Sequence, residues 1–407
     1  MPYPNIIERP GSLSATGLAK EATFGVPLTP TTYLPMTDNT AEEDPGWFSP
    51  VLMQNLRDKQ VYNLQGEAKY AGSLTGPIFP SNAMALLVAS IGADNIAGAG
   101  ITGTGSTSPT TLNGGLTAGT TTVVVTSAAG YAIGSIVQID VNGTGPTTTA
   151  EVRKVTNVAT NTLTVDVALT YNHLTGAAVK IVTAPFLHTI QQQNLLPSLT
   201  VEKNMGGYQS LQFAGCRVNK FDLKAPVGNT AVEMTADLMG QSVAILDNPS
   251  AVSVANEMPF VFSEATINFY SGARADVSNV GIVIENGVKE TYTYSGNHGP
   301  SFLTPVNLHV SGAVDVVWSS LDDATYGDFN RAHNQTLGAM TFTLAHPASA
   351  GTIVITMPQI AVAKYGSTVK AEDVVMSALT YEASRPLTGA SQYTVQATVS
   401  NSAYLPY

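Results

Sequence analysis

Glycine and proline punctuate the whole chain, 36 and 23 among 407 residues, and the runs between them are short and rich in Thr, Val and Ala. A chain interrupted so often builds short strands joined by turns in preference to long helices. The clearest strand lies at residues 60–74. Tyr62, Leu64, Ala68, Tyr70 and Leu74 share one parity with Gly66 and Gly72; Asn63, Gln65, Glu67, Lys69 and Ser73 take the other. Period-two alternation over this length predicts a long strand or a bent hairpin with one apolar face and one wet face. Gly66 and Gly72 would mark the bend or bulge. A helix is expected next. Ser81 can cap it, Met84, Leu87, Val88 and Ile91 fall at helical spacing, and Gly92 ends it.

Residues 1–45 are rich in Pro, Thr and Gly with little periodicity, and are expected to form an extended arm. Residues 97–110 (AGAGITGTGSTSPT) read as a low-complexity linker. Beyond them the texture changes. Short strands are expected at 123–125, 136–139, 151–155 and 163–165, with turns such as Asn142-Gly143 between them. This spacing predicts a small all-β module inserted at 101–184, with Ala184-Pro185 marking the return. A strand at Ser198–Glu202 follows, then a hairpin: Val218–Ala225, a turn at Pro226–Asn229, and Ala231–Leu238.

The second half repeats the order. Pro305–Ser319 alternates Val306, Leu308, Val310, Val314, Val316 and Trp318 against Asn307, His309, Ser311, Asp315 and Ser319. A helix is expected at Asp323–Thr336, with Tyr326, Phe329 and His333 on one side. A strand at Met340–Leu344 and two more at Thr352–Met357 and Val369–Leu379 come after it. The expected fold is mainly β, with tandem β-sandwich or barrel domains, each with a flanking helix, and the small β module. The first domain is 46–100 plus 185–250 and the second is 251–390; 391–407 is a C-terminal tail.

Only 12% of residues are charged, against about 25% in ordinary soluble domains. Such a composition suits a surface covered by neighbouring copies. The net charge of −11 argues against sequence-independent phosphate binding, which needs clustered Lys and Arg. An acidic wall instead lets nucleic acid slide past. The start, Met1-Pro2-Tyr3-Pro4-Asn5, has no signal-peptide pattern, and the apolar stretch Met84–Ile91 is too short for a membrane span. A soluble protein made in a cytoplasm is expected.

No catalytic constellation emerges. His173, His188, His298, His309, His333 and His346 lack metal-ligand spacing, and no H-E-x-x-H or G-x-S-x-G motif occurs. The single cysteine, Cys216, reads as a buried apolar thiol. Gly98-Ala99-Gly100-Ile101-Thr102-Gly103 matches G-x-G-x-x-G, but follows a helix where dinucleotide binding needs a strand before it. Asp322, Asp323 and Asp328 lack the register of a calcium loop, so Asp322 or Asp323 reads as a helix cap. The chain is therefore expected to be a structural protein without cofactor or metal, not an enzyme.

The wet faces of the two long strands remain. They are either an ordinary solvent face or, if copies close into a ring, the lining of a channel. The channel-facing candidates are Asn63, Gln65, Glu67, Lys69, Asn307, His309 and Asp315. Ring closure would also remove exposed sheet edges.

Three stretches carry a resemblance. Lys59–Gly92 (KQVYNLQGEAKYAGSLTGPIFPSNAMALLVASIG) resembles the tail tube proteins of long-tailed phages. Gly17–Pro35 resembles the opening of phage tail and related virion proteins, and Leu199–Gln241 resembles the tube family's later strands. The resemblance implies a β-sandwich or barrel with a flanking helix. It also implies rings that stack into a tube for DNA ejection, in a virion tail, with tape-measure, terminator and baseplate proteins as partners. Such rings are usually hexamers of one tube domain. Two domains in this chain would make a trimer with pseudo-sixfold symmetry. The inserted module would decorate the exterior. Alternatives are a baseplate or decoration protein, or a carbohydrate-binding tail protein.

Overall fold

A computed structural model describes residues 11–51, 57–58, 62–94, 101–140, 149–254, 257–270, 272–318, 327–347, 351–369, 374–389 and 391–407. The protein is mainly β. It divides into two compact units interleaved in sequence: unit 1 is 1–90, 194–259 and 278–314, and unit 2 is 91–193, 260–277 and 315–407.

Unit 1 is organised by one strand of 18 residues, Gln209–Pro226. Its first half pairs with Leu199–Met205 on one side and Ser242–Leu246 on the other. Its second half pairs with Glu233–Gly240 and Val277–Glu285. One strand thus serves two sheets, turning the corner at Gly215, where φ is +67°. A side chain there would also collide with Gln241, whose Cβ would lie 2.7 Å from the new carbon. Only glycine meets both demands.

The Glu21 carboxylate holds this corner. It accepts hydrogen bonds from the Gly215 N–H at 2.8 Å, the Thr200 hydroxyl at 3.0 Å and the Gly25 N–H at 2.9 Å. Beside it, Cys216 is buried as expected, and desolvation and the Glu21 charge push its thiol up.

Alternation places the core as the sequence predicts. Met234, Ala236 and Leu238 are buried opposite Leu223, Phe221 and Val218. The expected hairpin forms, with Lys224 opposite Glu233. Residues 60–74 differ from expectation. The continuous strand is Lys69–Pro77, and Leu64–Gln65 pairs separately with Trp47–Phe48. Glu67 between them follows the break at Gly66. Gly72 is not a bulge: it sits in register opposite Leu238, and any Cβ would lie 2.4 Å from the Ala41 Cα.

That close approach reflects a second difference. Residues 15–44 are not an unpaired arm. Ala15–Lys20 lies between Leu199–Met205 and Thr32–Leu34, while Asp38–Asn39 and Glu42–Asp44 line the edge of Lys69–Pro77. These strands are only two to six residues long, too short to show periodicity.

The helix spans Pro80–Ile91 and is buried from Asn82 onward. Proline suits a first helical position, since its missing N–H has no partner there. Ser81 is therefore inside the helix and does not cap it; its N–H bonds Glu257 instead. Gly92, at φ +153°, follows the last turn.

In unit 2, Thr352–Thr368 is 17 residues long. Leu337–Ala345 pairs along one side, and Gln396–Asn401 then Met376–Ala383 along the other. Ala265–Phe269 extends this sheet beyond Leu337–Ala345, and the second half of Ala178–Gln192 extends it beyond Gln396–Asn401. Two expected strands shift: one runs past Met357 to Thr368, and the next begins at Met376, leaving Val369 exposed. The expected strand at Pro305–Ser319 is shorter, His309–Val317; Pro305 closes a separate strand, Phe302–Pro305. The second helix is only Asp328–His333, with Gly327 as N-cap. The expected cap residues Asp322 and Asp323 lie outside the described residues, as do Lys59, Gly98–Gly100, Asn142-Gly143 and Tyr326.

The inserted segment forms a small barrel. Thr122–Val124 pairs with Thr162–Val165, which pairs with Glu151–Ala159, which pairs with Ile136–Ile139. Ala178–Gln192 and Thr102–Thr111 continue the ring, and the Leu112–Val125 bridge closes it. Val123, Tyr131, Val137, Ile139, Val155, Leu163 and Val179 fill its interior. The supposed linker is thus a ten-residue strand over 102–111. Thr102, Thr110 and Thr111 suit a pleated surface, and Gly103 sits where a Cβ would lie 2.6 Å from the Val182 Cβ.

Replacing Gly215 with Ala is expected to cost about 1–3 kcal/mol of unit 1 stability. Gly130→Ala has φ +87° but nothing within 4 Å, and is expected to cost less. Denaturant midpoints of the two variants check the ordering.

Candidate channel and assembly surfaces

The seven candidate residues fall on three kinds of backbone. Asn63 and Gln65 belong to the small Trp47–Phe48/Leu64–Gln65 ribbon or its approach, and Glu67 to the connection after it. Lys69 opens the strand Lys69–Pro77, opposite Asp44. Asn307 precedes the strand His309–Val317, which carries His309 and Asp315. None of the seven is buried. His309 Nδ1 lies 3.9 Å from Glu285, both half exposed, so the pair contributes little.

In unit 1 the wet surface is wider than one strand. Ser73 and Thr75 stand beside Asp237 and Thr235, which stand beside Lys220 and Asp222. The groups are linked: the Ser73 hydroxyl donates to Asp237 at 2.6 Å, Thr75 and Thr235 hydroxyls meet at 3.2 Å, and Lys224 lies 3.3 Å from Asp222. Beneath this face Leu74, Ala236 and Phe221 are fully buried. A single sheet is therefore polar and mixed in charge on one side and apolar on the other. The sequence marked this stretch only as one arm of a hairpin; the signal for a wet face was the Glu233, Thr235 and Asp237 parity.

A second surface is apolar. The two-stranded ribbon leaves Trp47 63% exposed and Phe48 51% exposed, with Tyr62 and Leu64 also open. A two-stranded ribbon is marginal by itself in water, and exposed aromatic side chains grouped on one are the kind of surface that marks a contact site.

The sequence reading also missed buried charge. In the small barrel, Glu151 and Arg153 are one step apart on the same strand face and fully buried. Arg153 donates to the Glu151 carboxylate, to the Ala168 carbonyl at 3.2 Å and to the Thr170 hydroxyl at 3.0 Å. Glu151 also accepts from the Thr170 and Tyr171 N–H groups and from His173 at 2.9 Å; His173 Nδ1 faces Asp140 at 3.4 Å. Burial alone would raise the Glu151 pKa. Hydrogen bonds from His173 and the two backbone N–H groups, with the Arg153 charge, outweigh it and hold the carboxyl below its usual range. The signal was Glu151-Val152-Arg153 within a strand: charges at i and i+2 share a face. In unit 2, Arg274 grips Asp276 through two bonds of 2.8 Å and reaches Asp328, which also receives Arg331 at 3.0 Å. Both clusters pair their charges internally, and in the first the Arg153 Nε alone of that guanidinium is buried without a hydrogen-bond partner. Among the described residues no group of three His, Cys, Asp or Glu is placed to hold a metal ion.

A family model described as phage tail tube protein matches residues 11–397. A search of curated proteins finds no match.

Glu151→Gln leaves Arg153 buried without its counter-charge and is expected to cost about 3–5 kcal/mol. Because the folded Glu151 pKa is depressed, its stabilisation is present above the unfolded carboxylate pKa. It is lost as pH falls through the lower folded value. Hydrogen-exchange protection in residues 151–170, taken relative to the intrinsic rate at each pH, should therefore fall in acid, and this fall should flatten in Glu151→Gln.

Proposed function

Since the chain belongs to the phage tail tube proteins, we propose that it is the repeating structural subunit of a tail tube, closing into rings that stack around a channel for DNA. The observation that carries this reading is the two-sided sheet of unit 1, with Ser73, Thr75, Thr235, Asp237 and Asp222 on one face and a buried apolar layer beneath. Joined around an axis, such sheets present the polar face to the bore and lose their open edges. Asp and Glu number 29 against 18 Lys and Arg over the whole chain, and on this face Lys220 and Lys224 stand among Asp237 and Asp222, so phosphates meet a mixed wall and not a purely basic track.

The seven candidates Asn63, Gln65, Glu67, Lys69, Asn307, His309 and Asp315 belong to this proposed lining or its rim. The repeated order of long amphipathic strand, helix, strand and strand pair supports two tube domains per chain, and so a ring of three chains with pseudo-sixfold symmetry. The Trp47–Phe48 ribbon supplies a contact between copies, and the small barrel decorates the exterior. Assembly takes place in the host cytoplasm, with tape-measure, terminator and baseplate proteins at the ends of the tube.

Electron microscopy of the purified protein tests the reading. Long tubes of uniform bore with three chains per ring are expected. Discrete particles would overturn the tube, and rings of six full chains would overturn the tandem reading. Replacing Trp47 and Phe48 by Ser should shorten or abolish tubes while leaving the thermal unfolding of the subunit nearly unchanged, since both side chains are exposed.

A further inference from the structure

The small barrel joins the rest of unit 2 through a narrow neck. Ala178–Gln192 pairs with the barrel strand Ile136–Ile139 over residues 179–182 and with Gln396–Asn401 over residues 186–191. Residues 183–185 are the crossing. The companion strand Thr102–Thr111 follows it with register shifts, one of them between Thr183 and Phe186. Two strands with a broken register at the crossing form a joint that can bend.

The segment Ser402–Tyr407 spans this joint. On the barrel side, the Tyr404 hydroxyl donates to Asp166 Oδ2 at 2.7 Å. Asp166 is itself fixed, because its other oxygen accepts the Lys154 and Val167 N–H groups at 3.0 and 2.9 Å. The Tyr404 ring meets Phe186 edge to face, with centroids 6.3 Å apart, and packs on the cluster of Ile101, Val152, Val182 and Phe186 that covers the neck. On the main-sheet side, buried His188 stands between two acceptors: Nδ1 faces Asp94 at 2.8 Å and Nε2 faces the Ala403 carbonyl at 2.7 Å. Asp94 also accepts the Tyr407 N–H at 3.3 Å. Burial and the adjacent Asp166 carboxylate push the Tyr404 phenol up to about 12, so it stays a proton donor at neutral pH.

We propose that Ser402–Tyr407 is a strap that locks the small barrel at one orientation on the main sheet of its unit. The barrel is then a rigid projection, not a tethered one. In any assembly of identical subunits its outer surface would recur at fixed spacing, and loosening the strap would free it.

The test is a distance distribution between spin labels at Asn157→Cys on the barrel and Thr380→Cys on the main sheet. Both positions are exposed, and the native Cys216 is buried. The full chain should give one narrow distribution. A chain ending at Asn401 should give a broad one, and Tyr404→Phe an intermediate one. Amides at Asp166 and Val167 should exchange about tenfold faster in Tyr404→Phe, as for loss of a hydrogen bond to a charged group. An equally narrow distribution after truncation would overturn the strap. If the truncated chain does not fold, Tyr404→Phe decides: unchanged width with unchanged exchange at 166–167 overturns it as well.

Discussion

The hydrogen bond from the Gly215 N–H to the Glu21 carboxylate is the interaction on which unit 1 depends. It stabilises the corner where one strand leaves the first sheet and enters the second. Without that corner, residues 217–226 could not lie between Glu233–Gly240 and Val277–Glu285, and the polar face built from three strands would not exist. The same carboxylate binds Thr200 and Gly25, so the early segment that looked like a loose arm is tied to the centre of the unit. A buried carboxylate that satisfies three donors is strongly favoured over the same group unpaired.

Much of the fold was legible because strands were half buried. Met234, Ala236 and Leu238, or Met340, Phe342 and Leu344, alternate with polar residues, and each set is buried. The barrel strands were legible for another reason: Val123, Ile136, Val152 and Leu163 recur between turns. Thr102–Thr111 was not legible, since glycine and serine mask strand character when composition is read without partners. Ala15–Lys20 was missed because its burial comes from pairing with residues nearly two hundred positions away. The strand at 60–74 was overextended because alternation continues through Gly66, although the pairing does not.

The candidate surface was only partly legible. Lys69 was placed on the right strand, but the greater part of the wet face comes from residues 220–237, which the sequence marked only as a hairpin. The inward-facing Glu151 and Arg153 were not legible, for charges on a short strand carry no sign in the sequence of the buried partners that hold them. Low charge overall, an apolar ribbon and a polar sheet face agree with a chain whose surface is completed by other copies of itself.

The central claim is that this polar sheet face looks into the bore. A side-chain-resolution map of the assembled tube measures it directly. The account predicts Thr235, Asp237 and Asp222 at the lumen, with Met234 and Phe221 turned away from it. Finding that face on the outer wall, or buried against another chain, would contradict the account.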